Sequence, residues 1–147
     1  MLALVTGASS GIGLEYAKQL ARDYHTDLLL VSNQEQEQQQ VAKELAAQYG
    51  VKTIALYADL SKQNAAEELY QYCVDNELTV DILVNNAGVF FFNPYCETSM
   101  KRIELMLNLH MVTVAKLTRL FGEDMINREL TTEEQAQKLC RKPRQKG

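Results

Sequence analysis

Short apolar runs alternate along the chain with longer stretches whose apolar residues recur every three or four positions. Leu2-Ala3-Leu4-Val5 is unbroken, as a strand buried on both faces of a parallel sheet requires. A helix pattern follows from about Gly11 to Asp23, with Ile12, Tyr16, Leu20 and Ala21 as its buried stripe. Asp27-Leu28-Leu29-Leu30-Val31-Ser32 reads as a second strand. Asn33 and Gln36 then form a capping box for a helix that carries Val41, Leu45 and Tyr49 inward and stops at Gly50. On that reading the glutamines between 34 and 40 are the wet face of the helix. Lys52 to Tyr57 is a third strand, and Ser61 caps a helix with Ala65, Leu69, Tyr72 and Cys73 on one side. Val80 to Val84 is the fourth strand. Thr98 or Ser99 opens a long helix reaching about Arg128, so apolar that more than one of its faces needs cover.

The first strand runs straight into Thr6-Gly7-Ala8-Ser9-Ser10-Gly11-Ile12-Gly13. Strand, glycines and helix in this order describe a phosphate-binding turn. Gly7 permits the tight turn, Gly11 lets backbone approach a pyrophosphate with no Cβ between, and Gly13 allows the helix to pack closely on the strand. Free amides in the first helical turn, at the positive end of the helix dipole, then face the anion. The end of the second strand is where such folds read the adenosine ribose, which makes Ser32 and Asn33 the selectivity positions.

The spacing G-x-x-x-G-x-G after Thr6, and Asn85-Asn86-Ala87-Gly88 directly after the fourth strand, resemble the short-chain dehydrogenase/reductase family. The resemblance covers residues 1–128. It implies a Rossmann-type three-layer α/β/α parallel sheet of about four strands in the order 3-2-1-4, with the fourth strand an edge. It also implies NAD(P) held by Gly7, Ser9, Ser10, Gly11, Ile12, Ser32, Asn33, Asp59, Leu60, Asn85, Ala87 and Gly88. Asp59 is either a loop carboxylate at a strand end or, as the Asp-Leu pair of the family implies, an acceptor for the adenine amino group. The amides of Asn85 and Asn86 serve equally well to tie strand ends together. The lack of an acid at Ser32 and Asn33 tilts the cofactor slightly towards NADP, yet Ser10 stands where NADP-preferring relatives often carry Lys or Arg, and the choice stays open. Asn108 matches the family's helix Asn, which kinks or opens its helix and helps hold a water for a proton relay.

The resemblance stops short of a full catalytic set. The family's reaction is hydride transfer between nicotinamide and a small carbonyl or alcohol substrate, with Ser, Tyr and Lys handling the oxygen and its proton. No tyrosine in these 147 residues has a lysine four positions on, and only the Asn is found. From residue 129 the chain turns polar and basic, read as a short helix capped near Thr131 or Thr132 and then a disordered end. That shift suggests a truncation or altered reading frame behind a family-like body; a tail evolved for an acidic partner is the alternative. The expectation is a nucleotide-binding chain inactive by itself, with a non-catalytic nucleotide-binding or helix-pairing protein as the competing reading.

Composition narrows this only at the margins. One domain fits 147 residues, and a net charge of −4 gives no reason to expect nucleic acid as a partner. Cys73, Cys96 and Cys140 lack metal-ligand spacing and read as reduced thiols, so no metal is expected. No stretch is long enough to span a bilayer and no basic leader precedes the first strand, so a cytoplasmic location is expected. His25 reads as a solvated loop residue and His110 as a packing or interface residue. Phe90, Phe91 and Phe92 are either an aromatic substrate wall or packing against core or partner, and the long helix is a candidate homo-oligomer interface.

Overall fold

The structure, a computed structural model, describes residues 1–129. The short helix and disordered end expected after Glu129 lie outside the described residues. In order, the elements are β1 (Leu2–Thr6), α1 (Gly11–Tyr24), β2 (Asp27–Ser32), α2 (Glu35–Tyr49), β3 (Thr53–Tyr57), α3 (Ala65–Asp75) and β4 (Ile82–Val84). A short 3-10 turn (Tyr95–Glu97) then leads to α4 (Met100–Leu107), a π-helical turn (Asn108–Val112) and α5 (Thr113–Glu129).

The four strands are parallel in the order β3-β2-β1-β4, as the resemblance implies. Side chains alternate across the sheet and build a core on each face. Leu4, Leu29 and Val31 meet Leu69 and Cys73 of α3 and Leu117 and Phe121 of α5. Ala3, Val5, Leu28 and Leu30 meet Ala17 and Ala21 of α1 and Val41 and Leu45 of α2. Two covered faces explain why β1 and β2 are apolar without interruption.

Several local expectations are corrected. The inward stripe of α1 is Gly13, Ala17 and Ala21, whereas Ile12 is 70% and Tyr16 49% exposed. Close approach to the sheet selects the small residues, and the larger side chains beside them turn out to solvent. No capping box forms at Asn33: α2 starts two residues later, with Gln34 at its N-cap, and the Gln34 amide donates to Ser32 Oγ (3.1 Å). Gln38 is no part of the wet face, since it is buried with its amide atoms unpaired. Ser61 does not cap α3; its amide and hydroxyl both donate to Asp59 Oδ1, and the helix begins after Asn64. β3 starts at Thr53 and β4 has only three residues; Asp81, just before it, accepts from the Leu2 amide through its carboxylate (2.9 Å) and donates its own amide to the Leu2 carbonyl (2.9 Å). Ser99 does cap α4, accepting from the Arg102 amide. Among the described residues no helix is long and apolar enough to cross a membrane.

Candidate functional site

The carboxyl ends of the strands open into one cleft of about 550 Å³. It runs from Gly7, Ser9 and Ser10, past Ser32, Asn33 and Gln34 at the end of β2 and Ala58 to Ser61 after β3, to Asn86, Ala87, Gly88 and Val89 after β4. Leu105 and Leu109 close its far side.

Thr6 holds the floor. Its hydroxyl accepts from the amides of Asn86 (2.9 Å) and Ala87 (3.0 Å) and donates to the Val84 carbonyl (3.3 Å). The Asn86 side-chain amide donates in return to the carbonyls of Thr6 (3.1 Å) and Gly7 (3.2 Å). The turn after β1 and the turn after β4 are thereby fastened to each other across the sheet. Gly7 sits at φ +66°, and a Cβ there would lie 2.9 Å from the Ala87 Cα. A Cβ on Gly13 would fall on the Gly7 carbonyl and the Asn86 amide, so α1 packs against this knot only through a glycine. Gly11 differs: at φ +58° it has nothing within 4 Å of the Cβ position, so its backbone faces open space. Ser10, the N-cap of α1, makes no side-chain cap bond, and the first turn of α1 carries no acid. The helix amides are left to meet an anion from outside.

At the end of β2 the Gln34 amide donates to Ser32 Oγ, Ser32 Oγ donates to Ser9 Oγ (3.0 Å), and Ser9 Oγ donates to Gln34 Oε1 (2.7 Å). Beyond β3, the Asp59 carboxylate accepts from the Ser61 hydroxyl (2.6 Å) and amide (3.1 Å), which fixes one oxygen in a turn while the residue still lines the cleft. At the other end the helix opens at Asn108, whose carbonyl accepts from the Thr113 amide five residues on. The Thr113 hydroxyl donates to the Leu60 carbonyl (2.8 Å), tying this opened turn to the cleft wall. From the same turn His110 Nε2 lies 3.0 Å from the Val89 amide and 2.8 Å from its carbonyl, with the ring seated where a Gly88 Cβ would be.

Of the residues singled out from sequence, Gly7, Ser9, Ser10, Ser32, Asn33, Asp59, Leu60, Ala87 and Gly88 border the cleft together. Gly11 and Ile12 stand beside it on the exposed start of α1. Asn85 turns away, its amide donating to Thr118 Oγ1 (3.1 Å), and Asn108 is half-buried in the π turn. The sequence places Thr6 at the start of the glycine turn without assigning its hydroxyl a partner, Gln34 on the wet face of its helix, and His110 as a packing or interface residue. The threonine before the glycine turn was visible as a β-strand residue with a hydroxyl, the one feature able to satisfy two amides at once.

The family model for short chain dehydrogenase matches residues 1–132. The chain belongs to the short-chain dehydrogenases. It is 34% identical over 130 residues to a very-long-chain 3-oxoacyl-CoA reductase of Anas platyrhynchos, a match covering 86% of this chain and 41% of that one. It is 32% identical over 131 residues to the inactive hydroxysteroid dehydrogenase-like protein 1 of Homo sapiens, covering 86% and 38%. Among solved structures it resembles a short-chain dehydrogenase from Sphingobium yanoikuyae in complex with NADPH, with TM-score 0.79 and 28% identity, covering 86% of this chain and 49% of that one. The L-sorbose reductase of Gluconobacter frateurii, complexed with NADPH and L-sorbose, gives TM-score 0.79 and 27% identity over 86% and 48%. This short-chain dehydrogenase chain spans about two fifths of the length of the curated relatives it matches.

Proposed function

We propose that the cleft binds a nicotinamide dinucleotide and that these residues form the cofactor half of an oxidoreductase acting on carbonyl or alcohol substrates. The observation that carries this is the pairing of an open glycine cradle at Gly11 with the uncapped amides of α1, at the mouth of a cleft that continues to Gly88. A pyrophosphate fits there, since backbone donors and the helix dipole favour an anion and no carboxylate stands in the first turn of α1. Asp59 and Leu60 would border the adenine, with Asp59 keeping one carboxylate oxygen free to accept from the exocyclic amine. Ala87 and Gly88 would leave room for the nicotinamide ribose. When bound, the dinucleotide supplies or accepts a hydride at its nicotinamide ring.

Asn108 would contribute by opening its helix, which turns backbone groups towards the cleft end as holders for a water. No residue among these 147 supplies the Tyr-x-x-x-Lys pair that moves the substrate proton, so these residues by themselves bind the cofactor and do not turn substrate over. The relative called inactive shows that the family name alone does not guarantee turnover. The long helix supports pairing with a second copy, because Leu107, Met111, Val112 and Ile126 remain exposed along it.

Titration of the 147-residue protein with NADH and NADPH, followed by nicotinamide fluorescence, tests the reading beside a Gly11→Asp control. Saturable binding that the control loses is expected, because the new carboxylate occupies the anion's place at a strained φ. No binding by a folded sample overturns it. Many turnovers of a simple ketone would overturn the expected lack of catalysis, and a monomer at high concentration in light scattering would remove the pairing.

A further inference from the structure

The three hydrogen bonds at the end of β2 form a closed circuit, and their direction decides what kind of ligand atom can join it. The circuit starts from the backbone amide of Gln34, passes through the hydroxyls of Ser32 and Ser9 and ends on the side-chain oxygen of the same Gln34. Each serine proton is used inside the ring. Ser9 is 9% and Ser32 6% exposed, and what they still offer the cleft they line is the second lone pair of each oxygen. A site that presents acceptors binds a ligand hydroxyl, which donates, and repels a phosphate oxygen, which only accepts.

Charge acts in the same direction. Among the described residues lining the cleft none is Lys, Arg or His, and Asp59 is the only charged one. The first turn of α2, immediately after Gln34, carries Glu35 and Glu37. Arg22 and Lys43, the cations nearest in sequence to the end of β2, and Lys62, three residues beyond Asp59, are not among the lining residues. A 2′-phosphate brings nearly two negative charges, and with no cation among the described lining residues to pair with, these carboxylates weaken its binding.

We propose that the Ser9–Ser32–Gln34 circuit makes this cleft selective for a dinucleotide with a free adenosine 2′-hydroxyl, with Gln34 as the residue that sets the selection. The proposal rests on reading the cleft as a dinucleotide site. The serine lone pairs stand in for the carboxylate that would otherwise receive the 2′-hydroxyl. Ser32 and Asn33 alone leave the preference open; the orientation imposed by Gln34 resolves it.

The test is parallel titration with NADH and NADPH of the full chain and of two variants, Gln34→Glu and Gln34→Arg, each first checked for an unchanged unfolding midpoint. In the unaltered chain NADH is expected to bind at least about tenfold more tightly. Gln34→Glu can only accept from Ser9, so it keeps the direction of the circuit, retains NADH and weakens NADPH further. Gln34→Arg can only donate and adds a cation, so it moves the ratio by about tenfold or more towards NADPH. Should Gln34→Arg fail to fold, Asn33→Arg tests the added cation without touching the circuit and is expected to shift the ratio the same way. Equal or tighter binding of NADPH by the unaltered chain overturns the proposal while leaving the cleft reading intact. So does a ratio that neither Gln34 variant moves. Loss of both dinucleotides from a folded chain overturns the cleft reading and this proposal with it.

Discussion

The two ends of the cleft are built differently. At the β1–β2 end every strand residue from Ala3 to Thr6 and from Leu28 to Ser32 is buried, and the glycine turn is fixed on one side by the Thr6 and Asn86 bonds and on the other by the serine–glutamine circuit. At the β4–α4 end the strand is half-buried over three residues, the following loop carries Phe90 and a 93% exposed Phe92, and the helix beyond it opens into a π turn. The first end offers a ligand backbone that its own strands and helices hold in place. The second presents side chains and an unpaired strand edge among the described residues, so its shape depends on whatever packs against it. A dinucleotide-binding turn is a locally complete device, whereas the place where a substrate would sit is not.

The two thiols among the described residues offer the largest contrast. Burial in the α3 core pushes the Cys73 thiol from its ordinary 9.0 up to about 11, while Cys96 is exposed beside the aromatic loop. Peptide mapping after thiol labelling at pH 8 is expected to show Cys96 modified about a thousandfold faster, Cys73 reacting only through global opening. Comparable rates would mean that the sheet core opens as readily as the loop. The same shift links stability to pH. Because the folded value lies above the unfolded one, its contribution is intact below pH 9 and is lost as pH climbs from 9 towards 11, visible as a falling urea midpoint.

Truncating leucines in neighbouring strands gives a smaller difference. Leu29 is fully buried in β2, and Leu29→Ala should cost about 4 kcal/mol in urea unfolding. Leu83 of β4, equally a partner of Leu4 across the sheet but half-buried, should cost about 2 kcal/mol as Leu83→Ala. Equal losses would show that β4 is covered in solution as thoroughly as β2.

The smallest effect concerns His110. His110→Ala removes the ring that holds Val89 and should cost about 1 kcal/mol. Amide exchange is the sharper readout: Val89 should exchange much faster while Leu29 is unchanged. An unaltered Val89 amide would show that the loop is held by other contacts.

The strands and the glycine turn were legible because period and turn chemistry state the same thing there, and the sheet order was legible through the family resemblance that the glycine turn and Asn85-Asn86-Ala87-Gly88 carry. The fine placement of α1 and α2 was not. Hydrophobicity named Ile12 and Tyr16 as buried, but the short distance to the sheet admits only Gly13, Ala17 and Ala21, and distance is a tertiary quantity. The cap at Asn33 failed for a related reason, since Ser32 from the strand already receives the Gln34 amide. Cleft residues on the two turns were found from the glycine spacing together with the family resemblance. Gln34 and His110 were not, because each acts on a group brought near only by folding: Ser9 lies 25 residues from Gln34 and Val89 lies 21 from His110.

The pairing of β1 with β4 also sets a schedule. The Leu2 amide meets Asp81, and Thr6 meets Ala87, across 79 and 81 residues of chain. On a ribosome adding about 5–20 residues per second, β1 emerges and then waits on the order of ten seconds for the neighbour that covers its second edge. During that interval β2 is its one available partner in the sheet. A nascent chain stalled before β4 would therefore expose the open edge of β1, and that intermediate is the one a chaperone would meet.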